Sequence, residues 1–184
     1  MKSIAVPLFF VLVTGVAAQA ADTPVSNDPK VALVRAMRSD EIALGSAKRA
    51  FLTGAVAQKY PAADKKCVRR FEHSQFTDGF AGVVGQVLNP TEVATALKFY
   101  QSEAGVKYVE GTLRRLHTRY GEDSGVPEIK GKEDISPAQM AEISDFMRSD
   151  LGHKIMGKEM TESPSALKMG TEMLEQIAAK CRRN

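Results

Sequence analysis

Beyond residue 30 the apolar positions recur at helical spacing. Leu33, Met37, Leu44, Ala47, Phe51 and Ala55 follow one another at intervals of three, four and seven, which puts them on one side of a helix. Residues 38–41, Arg-Ser-Asp-Glu, are a candidate interruption. Tyr60-Pro61 is expected to end this segment, because the residue before a proline is pushed out of the helical region. A second helix is expected from Asp64 to about Gln86, with Cys67, Phe71, Phe80, Val84 and Val87 along one side. Asn89-Pro90-Thr91-Glu92 and Ser136-Pro137-Ala138-Gln139 each spell a capping residue, a proline at the first helical position and an acid or amide at the third. Ser163-Pro164 opens a last helix, with Leu167, Leu174, Ile177 and Cys181 expected on one face. The polar stretch 121–136 reads as a loop. No segment alternates apolar and polar residues in the manner of a strand, so the expected class is all-α: a single helical bundle over residues 30–184.

Two parts of this pattern echo each other. At an offset of 47, Pro90, Ala94, Phe99, Ser102, Gly105 and Lys107 meet Pro137, Ala141, Phe146, Ser149, Gly152 and Lys154. Asn89 corresponds to Ser136, and Glu103 to Asp150. Two copies are too few for a solenoid, so the expectation is a pseudo-symmetric pair of bent helical units, about 89–111 and 136–158. In each unit the serine would cap a second helix, an acid would follow at its positive end, and the glycine would let another backbone come close. This accounts for every shared position except Lys107 and Lys154. A catalytic reading, with serine as nucleophile and lysine as base, fails on geometry: a separation of five turns the two side chains to different faces of a helix.

The chain start is of another kind. Lys2, an almost unbroken apolar run from Ile4 to Ala18, and Ala18-Gln19-Ala20 predict a cleaved export signal over residues 1–20. That run is shorter than the roughly 20 residues of a membrane span. Residues 21–29 are expected to be a flexible leader, and the destination the periplasm or the outside of the cell. Without Lys2 the 25 basic residues become 24 against 22 acidic ones, a net charge of +2. This near balance argues against nucleic acid as a partner. No second apolar stretch in the mature chain is long enough to cross a membrane. Cys67 and Cys181 are the only cysteines, and in an oxidising compartment an even count favours a disulfide.

Residues 91–111, TEVATALKFYQSEAGVKYVEG, resemble the signature of the bacterial exported family DUF2059, whose function is unknown. Its members carry an acid-initiated helix that ends in Phe-Tyr-x-Ser, followed by glycine and a basic or polar residue. Here those positions are Phe99, Tyr100, Ser102, Gly105 and Lys107; Glu103 stands where members commonly have proline. The resemblance is best over residues 65–120. It implies a small helical protein, secreted or periplasmic, and carries over no catalytic residues.

Candidate chemistry is sparse. His73, His117 and His153 have no spacing that suits a metal, and no cofactor is expected. Met140, Met147, Met156, Met160, Met169 and Met173 crowd the C-terminal part. They read first as core, since Met140 and Met156 match Val93 and Val109 in the repeat, and second as an adaptable apolar groove. The sharpest feature is charge beside the cysteines: Lys65, Lys66, Arg69 and Arg70 flank Cys67, and Lys180, Arg182 and Arg183 flank Cys181. A disulfide would gather these seven cations into one patch. Cations suit the end of a last helix, whereas Lys65 and Lys66 are expected near the start of one.

The reading of first choice is therefore an exported, non-catalytic binding module for an anionic envelope partner, either a lipid headgroup or an acidic protein. The alternatives are an envelope enzyme acting on lipid or peptidoglycan, which would need a polar cluster such as His117, Arg119 and Glu122, and a chaperone or adaptor using the methionine-rich half.

Overall fold

The computed structural model describes residues 27–53, 57–58, 61–121, 126, 128–131 and 134–181. The expected export signal, most of the leader, Glu122, Arg182 and Arg183 lie outside the described residues. Among those described, all regular structure is helical.

Helix α1 (Pro29–Met37) starts where Asp28 accepts a hydrogen bond from Lys30 N at 2.9 Å. Asp28 and Pro29 are thus a helix start, not leader. The interruption before α2 (Ser39–Leu52) is one residue, Arg38, at φ 52° and ψ 34°. A left-handed non-glycine residue is costly, and Arg38 is held there by two bonds to Glu41, 2.6 and 2.8 Å. Next to it Asp40, only 2% exposed, accepts from the hydroxyl of Thr77 and from Glu41 N, and its Oδ2 lies 3.2 Å from His73 Nδ1.

The helix expected from Asp64 to Gln86 is two helices. α3 (Ala62–Arg69) and α4 (Thr77–Val87) are separated by a single 3-10 turn, His73–Gln75. Phe71 and Phe76 are both buried, and their rings stack 6.4 Å apart. In one continuous helix, residues five apart point about 140° away from each other, so the chain must break for both rings to enter one core.

The repeat is real in three dimensions. α5 (Pro90–Gln101) and α6 (Glu103–Tyr120) form the first unit; α7 (Pro137–Arg148) and α8 (Asp150–Met156) form the second. Both α5 and α7 begin with reciprocal capping boxes. Ser102 stands at φ −68°, ψ 160° and Ser149 at φ −70°, ψ 157°; each hydroxyl accepts from the glycine N three residues on, at 3.2 and 3.0 Å. The backbone that approaches each glycine is the last turn of the preceding helix. A Cβ on Gly105 would overlap Phe99 O and lie 2.7 Å from Tyr100 Cα; one on Gly152 would overlap Phe146 O and lie 2.9 Å from Met147 Cα.

The two lysines also find their reason. Lys154 Nζ reaches both carboxylate oxygens of Glu92, at 3.0 and 3.1 Å, and Lys107 Nζ donates to Gln139 Oε1 at 3.2 Å. Glu92 and Gln139 are the third residues of the two capping boxes. Each unit's lysine therefore docks on the helix start of the other unit.

The pair is not equally buried. Val93 and Val109 are 3% and 5% exposed, while their counterparts Met140 and Met156 are 49% and 54% exposed. The core position expected for these two methionines is corrected: α1 packs on α5 of the first unit, whereas Met140 and Met156 of the second unit are exposed. The second unit also stops early, at Gly157, where the first has Glu110 inside α6. α9 (Lys158–Thr161) and α10 (Pro164–Cys181) follow. The α10 face is likewise corrected. Met173, Ile177 and Cys181 are buried, and Leu167 and Leu174 at the edge of that stripe are 58% and 40% exposed.

Two cores result. The larger joins α1, α4 and both repeat units; the smaller gathers α2, α3 and α10 around the bond between Cys67 and Cys181. Phe80 on α4 packs against both. No helix among the described residues is long and apolar enough to cross a membrane.

Candidate functional site

The two cores do not merge completely, and the gap between them is a cavity of about 430 Å³. Its wall takes side chains from α1, α2, α4, α5, α6, α8, α9 and α10. Five are methionines: Met37, Met156, Met160, Met169 and Met173. Met173 is buried, Met160 and Met169 are half-buried, and Met156 is exposed at the rim. Of the six C-terminal methionines, Met156, Met160, Met169 and Met173 therefore line a cleft, and Met140 and Met147 stand outside it. Unbranched and polarisable, such side chains adapt to the shape of what they meet.

Among the described residues no charged side chain lines this cavity. Its hydroxyls are those of Ser39, Tyr100, Tyr108, Thr112 and Thr161. Thr112 and Thr161 donate to carbonyls of their own helices, Tyr108 O at 3.0 Å and Gly157 O at 3.1 Å. Among the described residues Tyr108 OH has only the Met156 sulfur, at 3.7 Å, a weak acceptor. Tyr100 is 2% exposed, and its ring meets Phe99 and Phe146 edge-on, with centroids 5.1 and 5.6 Å away. Burial, and secondarily the neighbouring Tyr108, holds the Tyr100 phenol well above its ordinary pKa, so it stays protonated.

The basic residues beside the disulfide are brought together in part. The bond ties α3 to α10, so Lys65, Lys66, Arg69, Arg70 and Lys180 share one end of the molecule. Lys180 lies 5.3 Å from the Phe71 ring centroid, a cation–π contact. The expectation that Lys66 opens a helix is corrected by the shortness of α3, in which Lys65 is the fourth of 8 residues. Lys66 and Arg69 stand in its last turn, where cations suit the negative end of the helix.

A polar hollow lies nearby, lined by Glu41, Lys48, Glu72, His73 and Ser74 among others, about 200 Å³ in volume. Lys48 is 6% exposed and donates to Arg69 O at 3.1 Å. Burial lowers its pKa, partly offset by Glu72. His73 is oriented by Asp40, yet among the described residues no hydroxyl or thiol bonds its other nitrogen. His117 is committed elsewhere, 3.0 Å from Val126 O. Among the described residues no three His, Cys, Asp or Glu side chains converge as a metal site would need.

The sequence offers the C-terminal methionines first as core and second as an adaptable apolar groove; Met156, Met160, Met169 and Met173 line this cavity. Tyr100 and Tyr108 are not legible as site residues in the sequence, where Tyr100 is only a position of the signature that resembles DUF2059. No family model matches the chain, and neither a curated protein nor a solved structure matches it significantly.

Proposed function

We propose that this protein is a non-catalytic binding protein whose site is the methionine-lined cavity, and that it takes an apolar ligand. The observation that carries this reading is the cavity itself: eight helices converge on it without filling it. An empty apolar space of this size forfeits packing energy, and its volume lies in the range of small-molecule sites. The disulfide suits an oxidising compartment, in keeping with an exported protein of the kind the DUF2059 resemblance implies.

Gly170 supplies the test. It lines the cavity, and a Cβ added there meets nothing within 4 Å. Gly170→Leu should fill the space without strain. Wild-type protein should enhance the fluorescence of N-phenyl-1-naphthylamine saturably, and the variant should lose most of that signal while melting no lower. Equal titrations for the two proteins would refute the reading.

A second reading keeps the basic end as the site and an anionic envelope partner as its occupant. What favours it is the disulfide, which joins Lys180 to Lys65, Lys66 and Arg69 of α3 and to Arg70 at its end. Binding to anionic vesicles that weakens with salt, and that is lost when Lys65, Lys66, Arg69 and Arg70 are neutralised, would support this surface over the cavity.

A further inference from the structure

We infer that the cavity takes a neutral, mainly apolar molecule carrying one oxygen acceptor, held by the phenols of Tyr100 and Tyr108. This deepens the cavity reading above and rests on it. Three observations lead to the class of ligand.

The first is charge. A carboxylate or ammonium head taken out of water must be paired to be tolerated, and among the described residues no charged side chain lines the wall. A charged head would have to remain outside, so what enters is neutral.

The second is the balance of donors. Buried hydroxyls in folded proteins almost always have partners. Thr112 and Thr161 are satisfied by carbonyls of their own helices. Among the described residues no acceptor falls to the Tyr100 hydroxyl, although the residue is 2% exposed. Among the described residues no buried polar side-chain atom is sealed off without a partner, so that oxygen borders open space; Tyr108 has only a thioether there, and Ser39 is half-buried. What the site lacks is an acceptor. A ketone, ester or hydroxyl oxygen supplies one.

The third is preorganisation. The Tyr100 ring is fixed edge-on against Phe99 and Phe146, so its donor is placed before a ligand arrives. A donor that need not be ordered loses less on binding. The volume, about 430 Å³, suits a medium-chain ketone or ester.

The test displaces N-phenyl-1-naphthylamine from the purified chain with four probes: tridecane, 2-tridecanone, methyl laurate and, at pH 8, laurate. 2-Tridecanone and methyl laurate should each compete about 5- to 10-fold better than tridecane, the size of one net hydrogen bond. Laurate should be the weaker competitor against both. Tyr100→Phe should erase the advantage of the oxygen-bearing probes, keep tridecane binding, and leave the melting temperature unchanged or raised, because the hydroxyl has no protein partner to lose. Tyr108→Phe should reduce the advantage in part, and it carries the test if the first variant does not fold.

Equal competition by tridecane and 2-tridecanone would overturn the inference while leaving the apolar reading intact. Laurate matching the ketone would overturn neutrality. An advantage that survives both substitutions would overturn the role of the phenols. Failure of every apolar probe to bind would overturn the inference and the cavity reading together.

Discussion

Phe99 and Phe146, equivalent residues of the two repeat units, stack face to face with ring centroids 3.8 Å apart and planes 6° from parallel. The opening aromatic of the repeated motif is thus the join between its own two copies. Tyr100 stands edge-on to both rings and lines the cavity, so the join also shapes the site.

Substitution at this join should be costly and coupled. Phe99→Ala, at a 7% exposed position, should destabilise by about 3–5 kcal/mol. Phe146→Ala, half-buried, should cost less. A double-mutant cycle by urea denaturation should return a coupling of about 0.5–1.5 kcal/mol. Strict additivity would mean that the stack contributes nothing of its own.

The motif glycines should be intolerant where another glycine is not. Gly105→Ala and Gly152→Ala each drive a methyl group into a carbonyl of the preceding helix, with an expected loss of about 1–3 kcal/mol. Gly82, inside α4, has nothing within 4 Å of an added Cβ. Gly82→Ala should therefore stabilise by about 0.5–1 kcal/mol. Thermal melts of the three single variants decide the matter, since the signs differ.

Reducing the disulfide should loosen α10 before the rest of the chain. The bond closes a span of 114 residues, and loop-closure entropy puts such a link at up to about 5 kcal/mol. Reduction should lower the melting temperature and raise hydrogen exchange in α10 and α3, which with α2 form the smaller core. Exchange in α5 and α7 should change least.

Acid should weaken the docking of one unit on the other. The backbone bond at Asn89, and then Lys154, hold the Glu92 pKa below its ordinary 4.5. The folded state thus binds that proton less readily than the unfolded chain. The stabilisation is fully present above pH 4.5 and is lost as pH falls through the lowered value. Melting temperature should drop over that acid window in wild type, and drop less in Glu92→Gln. Lys154→Met should destabilise at neutral pH more than Arg148→Met, because Arg148 pairs with Asp145 in full exposure.

The accuracy of sequence reasoning on this chain followed the range of the forces involved. Both capping boxes, the serine bends, the close approach at Gly105 and Gly152, and the start of α10 were legible because each is decided within a few residues. Lys107 and Lys154 were legible as a repeat but not as a function, since their partners lie on the other unit, Gln139 and Glu92. The break between α3 and α4 was missed for the same reason. Phe71 and Phe76 leave helical register to enter a core shared with α2 and α10, and nothing in residues 64–86 alone announces that core.

By itself, then, the sequence determined the all-helical class, the starts of α5, α7 and α10, the bends at Ser102 and Ser149, and the pairing of two related units. Those features are set by cap hydrogen bonds, proline and glycine sterics, and the period of apolar residues, all of which act locally. Tertiary structure alone decided that Val93 and Val109 are core while Met140 and Met156 are not, and that two cores meet without merging. Exposure depends on which helix lies over a given face. A cavity is the space that many helices together fail to fill, so neither property is written in any one segment.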